Sequence, residues 1–371
     1  MRNFVIIGVG LILALLVYLV FWPSTIQPVA WSPTPARPLD GALAPNNALA
    51  DAELIDLGDV RGPEDIAYLE KDGELMLYAS TREGFILEIN PATQDVRQFA
   101  ETGGNPLGLA FDAQGNLIVG DSSFGLLSVS PEGDVSVLTN TVDGQPIHFA
   151  DDMDFGADGT IYFSDATVKF GDDERFEHSD GAALEILEHG RTGRILAYNP
   201  ETRSTQVFFD ELSFPNGVAT AHDGQSILVA ETGEYRVVRI YIDGPLKGTL
   251  EDVVTGLPGF PDNVDRGPIL PDGTPTYYMG LAALRIPALD QYAEWPLIRK
   301  IASRLPEIQR SGDAAKGYGF IIQFTEQGEI IDSWQDEEGR FPETTGAVLP
   351  GDGFLYITNI ESPFIPRIPY D

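Results

Sequence analysis

HFADDMDFGADGTIYFSDA, residues 148–166, reads as two short strands folded around a tight turn. Aspartate followed by glycine at 158–159 suits a hairpin, because glycine takes a positive φ at little steric cost. The β-branched and aromatic run that follows favours a strand. The same unit recurs as DGELMLYAS from Asp72, QGNLIVGDS from Gln114, DGQSILVAE from Asp223, DGTPTYYMG from Asp272 and DGFLYITNI from Asp352. The six hairpin glycines stand at 73, 115, 159, 224, 273 and 353, with spacings of 42, 44, 65, 49 and 80. The two long spacings hold insertions at 168–190 and 281–316. Without them a unit has the size of a four-stranded propeller blade.

Each hairpin is preceded by another strand start: PEDIAYL, NPLGLAF, ADDMDFG, PNGVATA, PDNVDRG and TTGAVLP. In a propeller the innermost strand of every blade begins at the rim of a central channel. These starts therefore bring Glu64, Asp65, Asn105, Asp151, Asp152, Asn216, Asp262 and Asn263 towards one axis, with Thr344 and Thr345 from the last copy. Carboxylates aimed at one point repel each other unless a cation sits between them. A set of hard oxygens suits Ca²⁺ rather than Zn²⁺. Of the four histidines, His148 lies three residues before Asp151, at the channel mouth, as a candidate substrate contact or proton carrier. His178, His189 and His222 sit in polar loop contexts and read as solvated.

The 371 residues hold 23 Lys+Arg against 57 Asp+Glu, a net charge of −34. That balance excludes a general nucleic-acid partner, which would need cations to neutralise phosphates. With no cysteine, disulfides, thiolate metal sites and cysteine nucleophiles are excluded. No G-x-S-x-G, Walker loop or H-E-x-x-H occurs either.

Phe4 to Trp22 is an uncharged run of 19 residues, long enough at about 1.5 Å per residue to span a hydrocarbon core. Arg2 at its head predicts a cytoplasmic N-terminus, with the propeller periplasmic or extracellular, where calcium is abundant. A cleaved signal peptide would have a shorter apolar region and a small-x-small site after it. Residues 23–50 carry six prolines and read as a semi-extended spacer holding a domain off the membrane. The expected organisation is a transmembrane signal-anchor at 1–22, a Pro-rich linker at 23–50 and a propeller at 51–371. The expected fold is all-β, a six-bladed β-propeller with a single N-terminal transmembrane helix and a helical insertion.

The stretches HFADDMDFGADGTIYFSDATVKF, LEHGRTGRILAYNPET, FPNGVATAHDGQSILVAETGEYRVVRIY and GLPGFPDNVDRG resemble the strictosidine-synthase-like family. The resemblance covers about Glu64 to Ile360. More distantly the pattern is similar to the calcium-dependent six-bladed lactonases and esterases: paraoxonases, gluconolactonases and the squid-type phosphotriesterase. In those enzymes a Glu, two Asn and an Asp hold a channel Ca²⁺. By motif the resemblance places these ligands at Glu64, Asp151, Asn216 and Asp262, with Asn263 as a fifth. It also matches Asp65 and Asp152 to two ligands of the second, buried calcium of paraoxonases. Two positions depart from the pattern. Asp151 stands where Asn is usual, which strengthens cation binding and weakens Lewis acidity. Gly346 stands where the plant synthase has its catalytic Glu, with Glu343 three residues away, so alkaloid condensation is not expected.

The function these readings imply is a membrane-anchored, Ca²⁺-dependent hydrolase of lactones or aryl esters. The metal polarises the carbonyl, and Asp262 or Asp151 orients or deprotonates the attacking water. The alternative is a non-catalytic propeller acting as an interaction module with a membrane-protein partner. The insertion at 281–316 bears on both, with six basic and four acidic residues. Leu297, Ile298, Ile301 and Leu305 recur at helical spacing between Pro296 and Pro306. That helix is either packed on the rim or a lid over the mouth, with Arg299, Lys300 and Arg304 facing anionic lipid.

Overall fold

The computed structural model describes residues 2–21, 23–171, 178–304 and 317–370. Each Asp-Gly turn folds one strand back on the next. At the third copy Gly159 adopts φ +80°, and its amide closes the turn on the Gly156 carbonyl at 2.9 Å. Third and fourth strands follow in the same way. The result is six four-stranded antiparallel sheets in a ring, beside a small hairpin at 141–146. The inner strands are Ile66–Lys71, Pro106–Phe111, Ala150–Phe155, Pro215–Thr220, Gly259–Ile269 and Thr344–Val348, of blades 1 to 6 in order.

The second strands are apolar almost throughout because both of their faces are covered by neighbouring blades. Leu117–Asp121, Ile161–Asp165 and Ser226–Glu231 are buried at every position. The outer strands, such as Asp95–Glu101, are largely exposed. One apolar cluster fills each gap between adjacent blades. Between blades 3 and 4, for example, Tyr162 and Ile195 meet Val218, Ile227 and Val229. The last blade takes its fourth strand from the other end of the chain. Glu53–Asp56 pairs with Phe364–Pro369, so Ile55, fully buried, faces Ile365 and ties the ring shut.

Antiparallel pairing decides where the insertions fall. Asp165, at the end of a second strand, pairs with Ala150 at the start of an inner strand, and Leu284 likewise pairs with Gly259. Connections from second to third strands therefore leave from the face on which the inner strands begin. Both insertions are such connections. One carries α2 (His178–Glu188); the other carries α3 (Pro287–Gln291) and α4 (Pro296–Ala302). Leu281–Leu284 still belong to the strand Pro275–Leu284, and Leu305 and Pro306 lie outside the described residues. The helix expected over the insertion is present as α4, capped by Trp295 and begun by Pro296.

The N-terminal segments depart from expectation in two ways. Residues 23–50 are extended, but they lie on the propeller instead of holding it away. Ile26, Trp31, Leu43 and Leu49 are buried anchors, and the amides of Val29, Trp31, Arg37 and Leu49 donate to Glu188, Ala293, Gly256 and Gln335. Proline keeps such a strap stiff, so pinning it costs little chain entropy. Trp31 stacks on His189 with ring centroids 4.0 Å apart. His189 is thus buried, not solvated; its Nε2 lies 3.1 Å from Glu234 and its Nδ1 3.4 Å from Ser213 Oγ. His222 is half-buried with Nε2 at 3.2 Å from the Thr276 carbonyl.

The second departure is at the start of the chain. Residues 2–21 form one helix, α1 (Arg2–Phe21). Among the described residues, however, no helix is long and apolar enough to cross a membrane, some of the α1 side chains and Trp22 being outside that set. The transmembrane segment expected at 1–22 is therefore without support from the structure. What is present is a helix with strongly exposed apolar side chains, Phe4 at 81% and Phe21 at 78%.

The closing strand gives a direct test. Ile55→Ala removes a fully buried side chain from the seam between the chain ends and should cost about 2–5 kcal/mol of unfolding free energy. Denaturant titration checks this; an unchanged midpoint would contradict the closure.

Candidate metal centre

The inner strands do not pair evenly. Registers shift between Pro106 and Leu109, Ala150 and Met153, Pro215 and Val218, Pro261 and Val264, and Thr344 and Ala347. The two residues inside each break leave the ladder and turn their side chains elsewhere, as bulges do. Those residues include Asp151 and Asp152, Asn216, Asp262 and Asn263, and Thr345, while Glu64 and Asp65 directly precede the first inner strand. All are buried around the axis. Glycines make the approach possible. A Cβ on Gly108 would stand 2.5 Å from Asp152 Oδ1, and one on Gly217 would stand 2.5 Å from Asn263 Cα.

Two levels can be told apart by their hydrogen bonds. In the first, Asn263 Nδ2 donates to Glu64 Oε1 at 2.9 Å, Thr345 Oγ1 donates to the Glu64 carbonyl at 2.6 Å, and Asn216 donates to Asp262. This leaves Glu64 Oε2, Asn216 Oδ1 and Asn263 Oδ1 buried without a partner. Buried oxygens in that state cost free energy, and three of them together call for an electropositive group.

The second level is different. Asp65 accepts the amides of Ile66 and Leu109, one per oxygen, both at 2.7 Å. Asp152 accepts those of Met153 and Val218 at the same distance. Each carboxylate thus staples its own blade to the next. Asp154 does likewise with Thr220, at 2.7 Å, and Asp265 accepts from Ala347 of blade 6. The structure gives Asp65 and Asp152 an architectural job that their spacing did not reveal.

Burial raises the carboxyls of Glu64, Asp65, Asp151, Asp152, Asp262 and Asp265. Glu64 is pushed well up by desolvation first, then by the charges of Asp151, Asp262, Asp65 and Asp152. Asp151 is raised by burial and then by Asp262 and Asp65. Asp262 is pushed up to about 7 by burial, with the Asn216 hydrogen bond opposing and Glu343 adding to the rise. Asp65 is raised to about 6 by burial, against its two amide hydrogen bonds. Among the described residues no three His, Asp or Glu side chains form a metal-holding group by themselves. A cation at the axis thus depends on the amide oxygens of Asn216 and Asn263 as much as on carboxylates, a donor set of hard oxygens that fits Ca²⁺.

Other expected residues sit outside this group. Asn105 turns back to Ser122 Oγ at 3.0 Å within its own blade. His148 is half-buried, its amide held at 3.2 Å by Asp165, which pairs with Arg194; Gly171 of the blade 3 insertion closes over its ring. Two further acids bear on the axis without having been assigned to it from the sequence. Glu343 holds φ +56° just before the last inner strand and bears on Asp262. Asp265 lies two residues past Asn263, a distance at which strand alternation returns a side chain to the same side.

Stapling and metal holding separate experimentally. Asp152→Ala leaves the buried Val218 amide unpaired and should lower stability by about 1–3 kcal/mol in chelator, where no cation contributes. A stability loss that appears only when calcium is present would instead make Asp152 a ligand.

Comparison with known proteins agrees with this architecture. A family model described as strictosidine synthase matches residues 151–245, and one described as strictosidine synthase-like, N-terminal, matches residues 41–89. The adipocyte plasma membrane-associated protein of Salmo salar is 30% identical, covering 98% of this chain and 89% of that one. Its Rattus norvegicus counterpart is 28% identical over 99% of this chain and 98% of its own length. Among solved structures, a gluconolactonase of Xanthomonas campestris superposes with a TM-score of 0.60 at 17% identity, covering 95% of this chain and 99% of that one. The calcium-binding protein regucalcin of Agrobacterium tumefaciens gives 0.57 at 14% identity, covering 85% and 92%. At such identities the structural likeness concerns the six-bladed fold alone. The sequence relatives go further: this chain belongs to the strictosidine-synthase-like family, in the branch of the adipocyte plasma membrane-associated proteins.

Proposed function

We propose that the protein is a Ca²⁺-dependent hydrolase of lactones or aryl esters, anchored by α1 in a membrane with its propeller on the periplasmic or extracellular side. The observation that carries this reading is the trio of unpartnered buried oxygens on Glu64, Asn216 and Asn263, set among carboxyls whose ionisation burial opposes. Glu64, Asp151, Asn216 and Asp262 would hold the ion, with Asn263 as a fifth ligand. The chemistry such an ion supplies is polarisation of a carbonyl and stabilisation of charge developing on its oxygen.

The chain's own groups have separate tasks. Asp262 or Asp151 orients the attacking water and takes its proton, a role that needs hydrogen-bond reach. Asn263 holds the Glu64 carboxylate in place through one oxygen and leaves the other free. The staples through Asp65 and Asp152 fix the spacing of the blades that carry these groups. His148 is the candidate for substrate contact beside the mouth. The fold is one that a gluconolactonase also uses, and the names of the plasma-membrane relatives support the membrane location. The exposed apolar surface of α1 supports its insertion in lipid.

Purified full-length protein should hydrolyse phenyl acetate and simple lactones with calcium and lose the activity in chelator. Asn216→Ala and Asp262→Ala should each lower kcat/KM by about 100-fold or more. Activity that is absent, or that survives both substitutions, would remove the enzyme reading.

A further inference from the structure

The geometry points to a lipid bilayer as the partner of the α4 surface, with the channel mouth facing the membrane and drawing its esters or lactones from it. This rests on α1 lying in the membrane, as in the function proposed above. Three observations carry it.

The first is where α4 sits. It belongs to a connection on the face where the inner strands begin, so it shares that face with the opening over Glu64, Asp151, Asn216 and Asp262. The second is that α1 leaves from the same place. Arg304 donates to the Leu19 carbonyl near the end of α1 and places its guanidinium 5.9 Å from the Tyr18 ring centroid, and Ser24 Oγ lies 3.4 Å from Ser303 Oγ. A bilayer that receives α1 therefore meets α4 next.

The third is the character of the α4 surface. Trp295, Leu297 and Ile298 are 61%, 50% and 36% exposed, an apolar group in contiguous residues. It cannot roll inward, because the opposite side of the helix is locked. Arg299, expected to face lipid, is instead buried and donates to the carbonyls of Leu187, Ala293 and Val29. Beside the apolar group runs a groove of about 690 Å³ lined by Pro23, Ile26, Pro28, Pro296, Leu297 and Lys300. Of the cations in residues 285–304, Arg285 and Arg299 are buried against backbone carbonyls and Arg304 is turned onto the end of α1, so Lys300 is the cation beside the apolar group. Exposed apolar side chains with a lysine at their edge, next to the end of α1, suit a membrane interface.

The chain has no cysteine, so single labels report cleanly. Leu13→Cys in α1, Leu297→Cys in α4 and Glu132→Cys, in an exposed hairpin on the far face, would each carry a fluorophore on full-length protein. The protein would be reconstituted in phosphatidylcholine–phosphatidylserine vesicles with brominated acyl chains. Bromine should quench the labels at 13 and 297 about twofold or more and leave the label at 132 unquenched. Quenching at 13 without quenching at 297 overturns the docking of α4 while the anchor stands. No quenching at 13 overturns the anchor, and the docking with it.

Discussion

Asp65 and Asp152 each give both carboxylate oxygens to backbone amides, one in their own blade and one in the next, and the channel is built around that exchange. A ring of six blades has to bring six strand starts together in a space that admits little beyond glycine at several positions. The bulges at those starts free polar side chains from the ladder. The lower carboxylates use that freedom to lock neighbouring blades. Glu64, Asn216 and Asn263 are left with buried oxygens that have no hydrogen-bond partner among the described residues. The bulged strand starts, with Glu64 and Asp65 just ahead of the first inner strand, thus supply both the brace and the unpartnered oxygens at the axis.

The same antiparallel bookkeeping sets the outer face. Since second-to-third-strand connections return to the face of the strand starts, both long insertions gather over the mouth. The Pro-rich strap joins them there, with Trp31 against His189 and Arg299 holding the strap, the end of α2 and the α3–α4 segment together through their carbonyls. Burial draws that guanidinium down to about 10, yet it stays a cation because carbonyl oxygens surround it. Most of the −34 charge lies elsewhere, on exposed outer strands and hairpins.

The ring was legible from its turns. Glycine hairpins in constant phase predict the blade count, and the strand starts predict which polar residues approach the axis, because strand starts in a propeller converge by geometry. The resemblance added the assignment of individual ligands. Other features depend on contacts that no local pattern encodes. The strand Glu53–Asp56 pairs with residues more than three hundred positions away. Arg299 sits on a polar-looking helix turn but is buried by the strap. His189 lies in a polar loop sequence yet is covered by Trp31. Asp65 and Asp152 read in sequence as metal ligands alone; their bracing of neighbouring blades shows only in their amide partners.

The central claim is that the axis holds acids which a cation must compensate, and thermal unfolding across pH tests it most directly. In chelator, carboxyls raised from 3.8 to about 6 at Asp65 and about 7 at Asp262 bind more protons folded than unfolded. Stability should then fall as pH rises from about 4 to about 7. Calcium should restore it, by an increment that grows over the same range as the carboxyls become free to bind it. A calcium increment that is absent, or flat across that range, would contradict the account.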